Sequence, residues 1–128
     1  MKQILLILLC IAFTSCYNIE RNCSDYKTGK FKFTYVIDGE EKTGTFVRTD
    51  KYSVDYFEGK VDSSSIRWIN DCEFILKKIN PQNTSEDDAI HMKILSTTDS
   101  SYNFEYKLAI KKKNRAARVE KGTVYRIK

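Results

Sequence analysis

The sequence predicts an all-β domain, an antiparallel meander of about eight strands closing as a small barrel or curling into a sandwich. Three observations carry that expectation. From Lys30 to Ile127, apolar and polar residues alternate with a period near two in one segment after another. Turn residues punctuate these segments roughly every ten positions, the rhythm of hairpins. A single proline and the absence of a long amphipathic pattern leave no helix to compete.

The elements follow in order. In Lys30–Ile37, Phe31, Phe33, Tyr35 and Ile37 share one face, and Lys32 and Thr34 the other. Asp38-Gly39 is a strong hairpin signal. Lys42–Thr49 and Tyr52–Phe57 are the next two strands, separated by Asp50-Lys51. In the second of these, Tyr52, Val54 and Tyr56 alternate with Ser53 and Asp55, so its apolar face is expected inward. Glu58-Gly59-Lys60 reverses the chain into Ser64–Ile69, which carries Ile66 and Trp68 on one side. Asn70-Asp71 turns into Cys72–Ile79, with Cys72, Phe74 and Leu76 aligned. Pro81 ends that strand. In the polar loop Asn80–Asp88, Thr84 or Ser85 is expected to cap one helical turn through Glu86-Asp87-Asp88. Ile90–Thr97 places Ile90, Met92 and Ile94 inward. Asp99-Ser100 then turns into Ser101–Leu108, with Tyr102, Phe104, Tyr106 and Leu108 in register, and Arg118–Ile127 closes the series.

Ahead of the strands, residues 1–16 (MKQILLILLCIAFTSC) read as an export signal of the bacterial lipoprotein type. Lys2 supplies the positive n-region, and Ile4–Phe13 is apolar but too short to span a bilayer. Thr14 and Ser15 stand before Cys16 as small residues stand before a lipidated cysteine. Three segments follow: a signal over 1–15, a lipidated stalk over 16–29, and one β domain over 30–128. Cleavage before Cys16 also removes Lys2 from the 22 basic residues, leaving a net charge of +4 against 17 acids. Such a charge names no partner.

The cysteines fit an exported chain. Cys10 leaves with the signal and Cys16 takes the lipid, so Cys23 and Cys72 remain as an even pair. A bridge between them would fold the stalk back across one end of the barrel, beside Trp68. Two unrelated buried thiols are the alternative. A zinc site wants four ligands, and His91 is the only histidine; neither a metal nor a cofactor is implied.

Catalytic signals are thin. His91 is expected on the outer face of its strand. Ser63-Ser64-Ser65 has no neighbouring base to activate a nucleophile. Asp38, Glu40 and Glu41 belong to a hairpin tip, and the glycines are scattered rather than gathered in a phosphate loop. The basic run Lys111-Lys112-Lys113-Asn114-Arg115, with Arg118 behind it, lacks interleaved aromatics and reads as a solvated loop. Arg67 and Trp68 are either part of a ligand mouth or, as favoured here, a structural corner in which Trp68 plugs the core and Cys72 staples the stalk.

The runs Thr28-Gly29-Lys30-Phe31-Lys32-Phe33, Ser65-Ile66-Arg67-Trp68-Ile69-Asn70-Asp71-Cys72-Glu73, Ile90-His91-Met92-Lys93-Ile94-Leu95 and Tyr102-Asn103-Phe104-Glu105-Tyr106 resemble a group of small bacterial lipoproteins without established function. Some members carry the label "DNA topoisomerase IV". The chain has no room for a DNA-cleavage domain, and an exported protein does not meet the chromosome. The resemblance implies location and a single domain, and carries over no catalytic residues. The expected protein is therefore a lipid-anchored component of the cell envelope with a non-catalytic binding or structural role, alternatively a lipocalin-like carrier of a small apolar ligand. Its partners would be the membrane, through the lipid, and an envelope protein or glycan, with no nucleic acid. No Asp follows Cys16, where it can retain lipoproteins in the inner membrane, so the outer membrane is the expected site. With Phe13 gone, six Phe, eight Tyr and Trp68 remain, enough bulk to fill a barrel this small.

Overall fold

The computed structural model describes residues 18–110, 112, 113 and 118–128. The signal segment, Cys16 and three members of the basic run (Lys111, Asn114 and Arg115) lie outside the described residues.

Eight strands form one closed antiparallel meander. They are β1 (Gly29–Ile37), β2 (Glu40–Arg48), β3 (Tyr52–Phe57), β4 (Lys60–Asn70), β5 (Glu73–Lys78), β6 (Ile90–Thr97), β7 (Ser101–Leu108) and β8 (Glu120–Arg126). Each pairs with the next, and β8 returns to β1 through Phe31↔Arg126 and Lys32↔Tyr125. This is an up-and-down barrel, which leaves no open sheet edge. The tight tips follow from sequence: Asp38-Gly39 (φ 51° and 78°) and Glu58-Gly59 (φ 50° and 72°) take the paired positive φ of type I′ turns.

Three local expectations are corrected. Asn70 pairs with Glu73, so the β4–β5 turn is Asp71-Cys72 and Cys72 lies in it rather than opening β5. The Asn70 side chain drives that shift: its Oδ1 accepts from the Cys72 amide at 2.9 Å, an Asx turn. In the β5–β6 loop the capping residue is Asn83, not Thr84 or Ser85. Its Oδ1 accepts from the Glu86 amide at 2.9 Å, and the expected single turn closes behind it, the Asp87 amide donating to the Asn83 carbonyl at 3.3 Å. Third, β3 faces the opposite way. Ser53 is buried and Asp55 half-buried inside the barrel, while Tyr52 and Tyr56 are 50% and 43% exposed on its outer surface.

One end of the barrel is closed by a 3-10 turn, Cys23–Tyr26. Tyr26 reaches the core formed by Phe31, Phe46, Ile94, Tyr102 and Val124, and its hydroxyl donates to the Thr98 carbonyl at 2.6 Å. Arg48 from β2 and Arg126 from β8 donate to the carbonyls of Tyr26 and Asp25. The turn is thus fastened to strands on several sides of the barrel and forms its floor. The Cys23–Cys72 disulfide staples it there, with Cα atoms 5.1 Å apart across a sequence separation of 49.

The attachment begins before the disulfide. Glu20 accepts from the Thr97 amide at 2.8 Å, the Asn22 amide donates to Thr97 Oγ1 at 2.8 Å, and Arg21 Nη2 donates to the Ile94 carbonyl at 2.9 Å. Residues 20–22, read from the sequence as part of the stalk, therefore lie along β6 at the closed end.

Candidate functional site

The alternation of each strand decides what lines the barrel. Inward positions change character around its circumference. On one side, Phe33 and Tyr35 of β1 and Phe104, Tyr106 and Leu108 of β7 present rings and an aliphatic side chain. Opposite, one rung joins Arg48, Ser53, Ser64 and Lys78 through successive strand pairings, and the next joins Phe46, Asp55 and Asp62. Because strands tilt in a closed barrel, this polar rung runs from Arg48 at the floor to Lys78 beside the opposite end. There Lys78 Nζ lies 3.4 Å from Asp62 Oδ1 and 3.1 Å from Glu86 Oε1.

Burial also grades along the lumen. The floor residues Phe31, Phe74, Ile94 and Tyr102 are at most 1% exposed. One step above them, Phe33 and Phe104 are only half-buried, as are Tyr35, Tyr106 and Leu108 further out. The two middle rings lie flat across glycines on neighbouring strands. A Cβ on Gly44 would come within 2.3 Å of Phe33 Cζ, and one on Gly122 within 2.8 Å of Phe104 Cζ. The aromatic bulk expected to fill the barrel is packed tightly at the floor, and these rings pack on that core from above while lying over the wall glycines.

Arg48 is the most unusual side chain. It is 3% exposed, and no carboxylate lies within ion-pairing distance of it among the described residues. Its guanidinium carbon lies 4.8 Å from the ring centre of Phe74, 5.1 Å from Phe46, 5.3 Å from Phe31 and 5.6 Å from Tyr102. Nη1 donates to the Tyr26 carbonyl at 2.9 Å and Nη2 to the Tyr102 hydroxyl at 2.7 Å, while Nε is buried without a partner. Ring faces and two neutral acceptors thus replace the counter-ion. Burial pushes the Asp55 carboxyl above its ordinary range, opposed by the Ser53 hydroxyl at 3.0 Å and by Arg48. Burial likewise pushes the Tyr102 phenol up, against the pull of Arg48.

The residues singled out in the sequence separate. Trp68 and Arg67 occupy opposite faces of β4. Arg67 is exposed outside the barrel, whereas Trp68 packs at 4.6 Å on Phe74, with Lys27 Nζ 5.1 Å above its ring. The structure brings Trp68 together with Cys23, Cys72 and Lys27 at the closed end, and does not bring Arg67 to them. His91 Nε2 lies 3.1 Å from Glu73 Oε1, and Asn70 chiefly holds the Glu73 carboxyl below its ordinary range, with His91 adding to the effect. No cluster of three or more His, Cys, Asp or Glu side chains placed to hold a metal occurs among the described residues.

Arg48, Asp55 and the glycine-backed rings went unread in the sequence. The signal was there for Arg48: strict alternation puts it on the face of Gly44 and Phe46. No family model, curated protein or solved structure matches the chain. The site therefore rests on its own geometry.

Proposed function

We propose that this chain is a lipid-anchored cell-envelope protein with a non-catalytic binding role exercised through the barrel lumen. The observation that supports the binding role is the grading of the lumen from a sealed floor to half-buried aromatic walls. Barrels of eight strands are at the size where the interior either fills or holds one small molecule. The carrier reading gains from the same observation, with one refinement. A wall of rings facing a polar rung suits a small amphipathic molecule better than a purely apolar one. The anchor rests on the Lys2, Ile4–Phe13, Thr14-Ser15-Cys16 pattern, and the outer membrane on the absence of Asp after Cys16.

Two measurements test these parts. Labelled palmitate should enter the native chain and not Cys16→Ser; a processed, membrane-bound Cys16→Ser protein would overturn the anchor. For the lumen, a fluorescent amphiphile such as anilinonaphthalene sulfonate should bind saturably and be followed by Trp68 quenching. Phe33→Ala and Phe104→Ala should weaken that binding, and Val36→Ala on the outer face should leave it unchanged. Absence of saturable binding, or equal effects of all three substitutions, would leave only a structural role.

A further inference from the structure

We infer that the closed end of the barrel is the surface that lies against the lipid bilayer, with the mouth held away from it. The inference rests on the lipid-anchor reading of Cys16 and on the bonds that hold residues 20–23 to the barrel. Glu20 is bonded to Thr97 at the last residue of β6, beside the turn that leads into β7 at the closed end. Arg21 and Asn22 add bonds to Ile94 and Thr97, and the Cys23–Cys72 disulfide follows at once. Cys16 stands four positions ahead of Glu20. Four residues span at most about 14 Å when fully extended.

The height of the barrel decides the rest. β1 has nine residues, which rise about 30 Å along the strand. At the usual tilt of barrel strands this gives a height of roughly 20–25 Å. The mouth is therefore farther from the anchored end than the tether can compensate, so the barrel cannot invert onto its rim.

A membrane-facing rim is thereby excluded. Both ends carry exposed apolar side chains: at the rim, Val36, Val61, Ile79, Ile110 and Val119 are 68%, 61%, 39%, 76% and 49% exposed, in or beside the four open-end connections. The closed end offers Ile19, Tyr52, Ile69, Tyr125 and Ile127 between its charged turns. Composition alone therefore does not choose the membrane-facing surface. The tether decides between the two ends, because a diacylated cysteine holds its protein firmly at the bilayer. A ligand would then reach the lumen from the aqueous side, not from the membrane that carries the anchor.

The test uses the unsubstituted, lipidated chain in nanodiscs of phosphatidylethanolamine and phosphatidylglycerol, doped with a lipid bearing a gadolinium chelate on its headgroup. Amide signals of Lys51, Asp71 and Asp99 in the closed-end turns should broaden several-fold more than those of Gly39 and Gly59 at the opposite tips. The reverse pattern, or uniform broadening, would overturn the orientation. Cys16→Ser distinguishes failure of the anchor from failure of the orientation. If that chain binds the nanodiscs as well as the native one, the anchor fails. If only the native chain binds and the tips broaden most, the anchor stands and the orientation falls.

Discussion

At the scale of single residues, a buried cation and a half-buried carboxyl on adjacent strands pull stability in opposite directions. Arg48 holds the floor by bonding the Tyr26 carbonyl and the Tyr102 hydroxyl within a cage of four rings. Arg48→Leu keeps the apolar contacts but orphans both acceptors. It should cost at least about 1–3 kcal/mol in urea unfolding, the penalty for leaving a buried polar group unpaired; an unchanged midpoint would show that the ring cage alone suffices. Asp55 acts in the other sense. Its carboxyl sits above its ordinary value of 3.8 because burial disfavours the charged form. The folded state therefore binds this proton more tightly than the unfolded chain, and stability falls as pH rises from the ordinary value through the raised one. Asp55→Asn removes that loss. Thermal melts should show a higher midpoint than the native protein at pH 7 and little difference near pH 3, and an equal difference at both would contradict the assignment.

At the scale of elements, β3 and the glycine-backed rings show how strand faces are chosen. The alternation Tyr52-Ser53-Val54-Asp55-Tyr56 was legible, but a period of two does not say which face is inside. The barrel resolves it through neighbours: Ser53 pairs with Arg48, and Asp55 with Phe46, both inward residues of β2. Once β2 is placed by Phe46, β3 has no freedom to present its tyrosines inward. The rings of Phe33 and Phe104 make a related point. Each depends on a missing Cβ across the strand, on Gly44 and Gly122. Gly44→Ala should push the Phe33 ring off the wall and cost about 1–3 kcal/mol, as overpacking does. Phe33→Leu should restore part of that loss by vacating the contact. Failure of the second substitution to rescue the first would mean that the close approach is not what selects glycine.

At the scale of the whole molecule, the disulfide joins the floor to the wall. It closes a loop spanning β1 to β4, so removing it should free the unfolded chain considerably. Cys72→Ser is expected to cost roughly 2–5 kcal/mol, while the processed chain remains membrane-bound. Loss of membrane attachment in that variant would instead mean that the bridge and the anchor act as one unit. The bonds of Glu20, Arg21 and Asn22 to β6 give the N-terminal segment its own hold, so the floor should loosen without detaching.

The all-β class, most strand positions and the inward sets of β1, β7 and the lower part of β4 were legible because short-range alternation and turn chemistry are local properties of the chain. The Cys23–Cys72 pairing was reachable by counting, since two thiols were left in an exported chain. Closure of the sheet into a barrel, the burial of Arg48 and the inward polar rung of Ser53, Ser64 and Lys78 belong to the tertiary structure. They depend on register between strands distant in sequence, and on a floor turn that supplies acceptors for a cation the sequence alone would leave in water. The capping of the β5–β6 turn by Asn83, and the Asx turn that draws Cys72 out of its strand, were local too. They were missed because Asn, Thr and Ser compete for the same backbone amides, and only the folded loop selects among them.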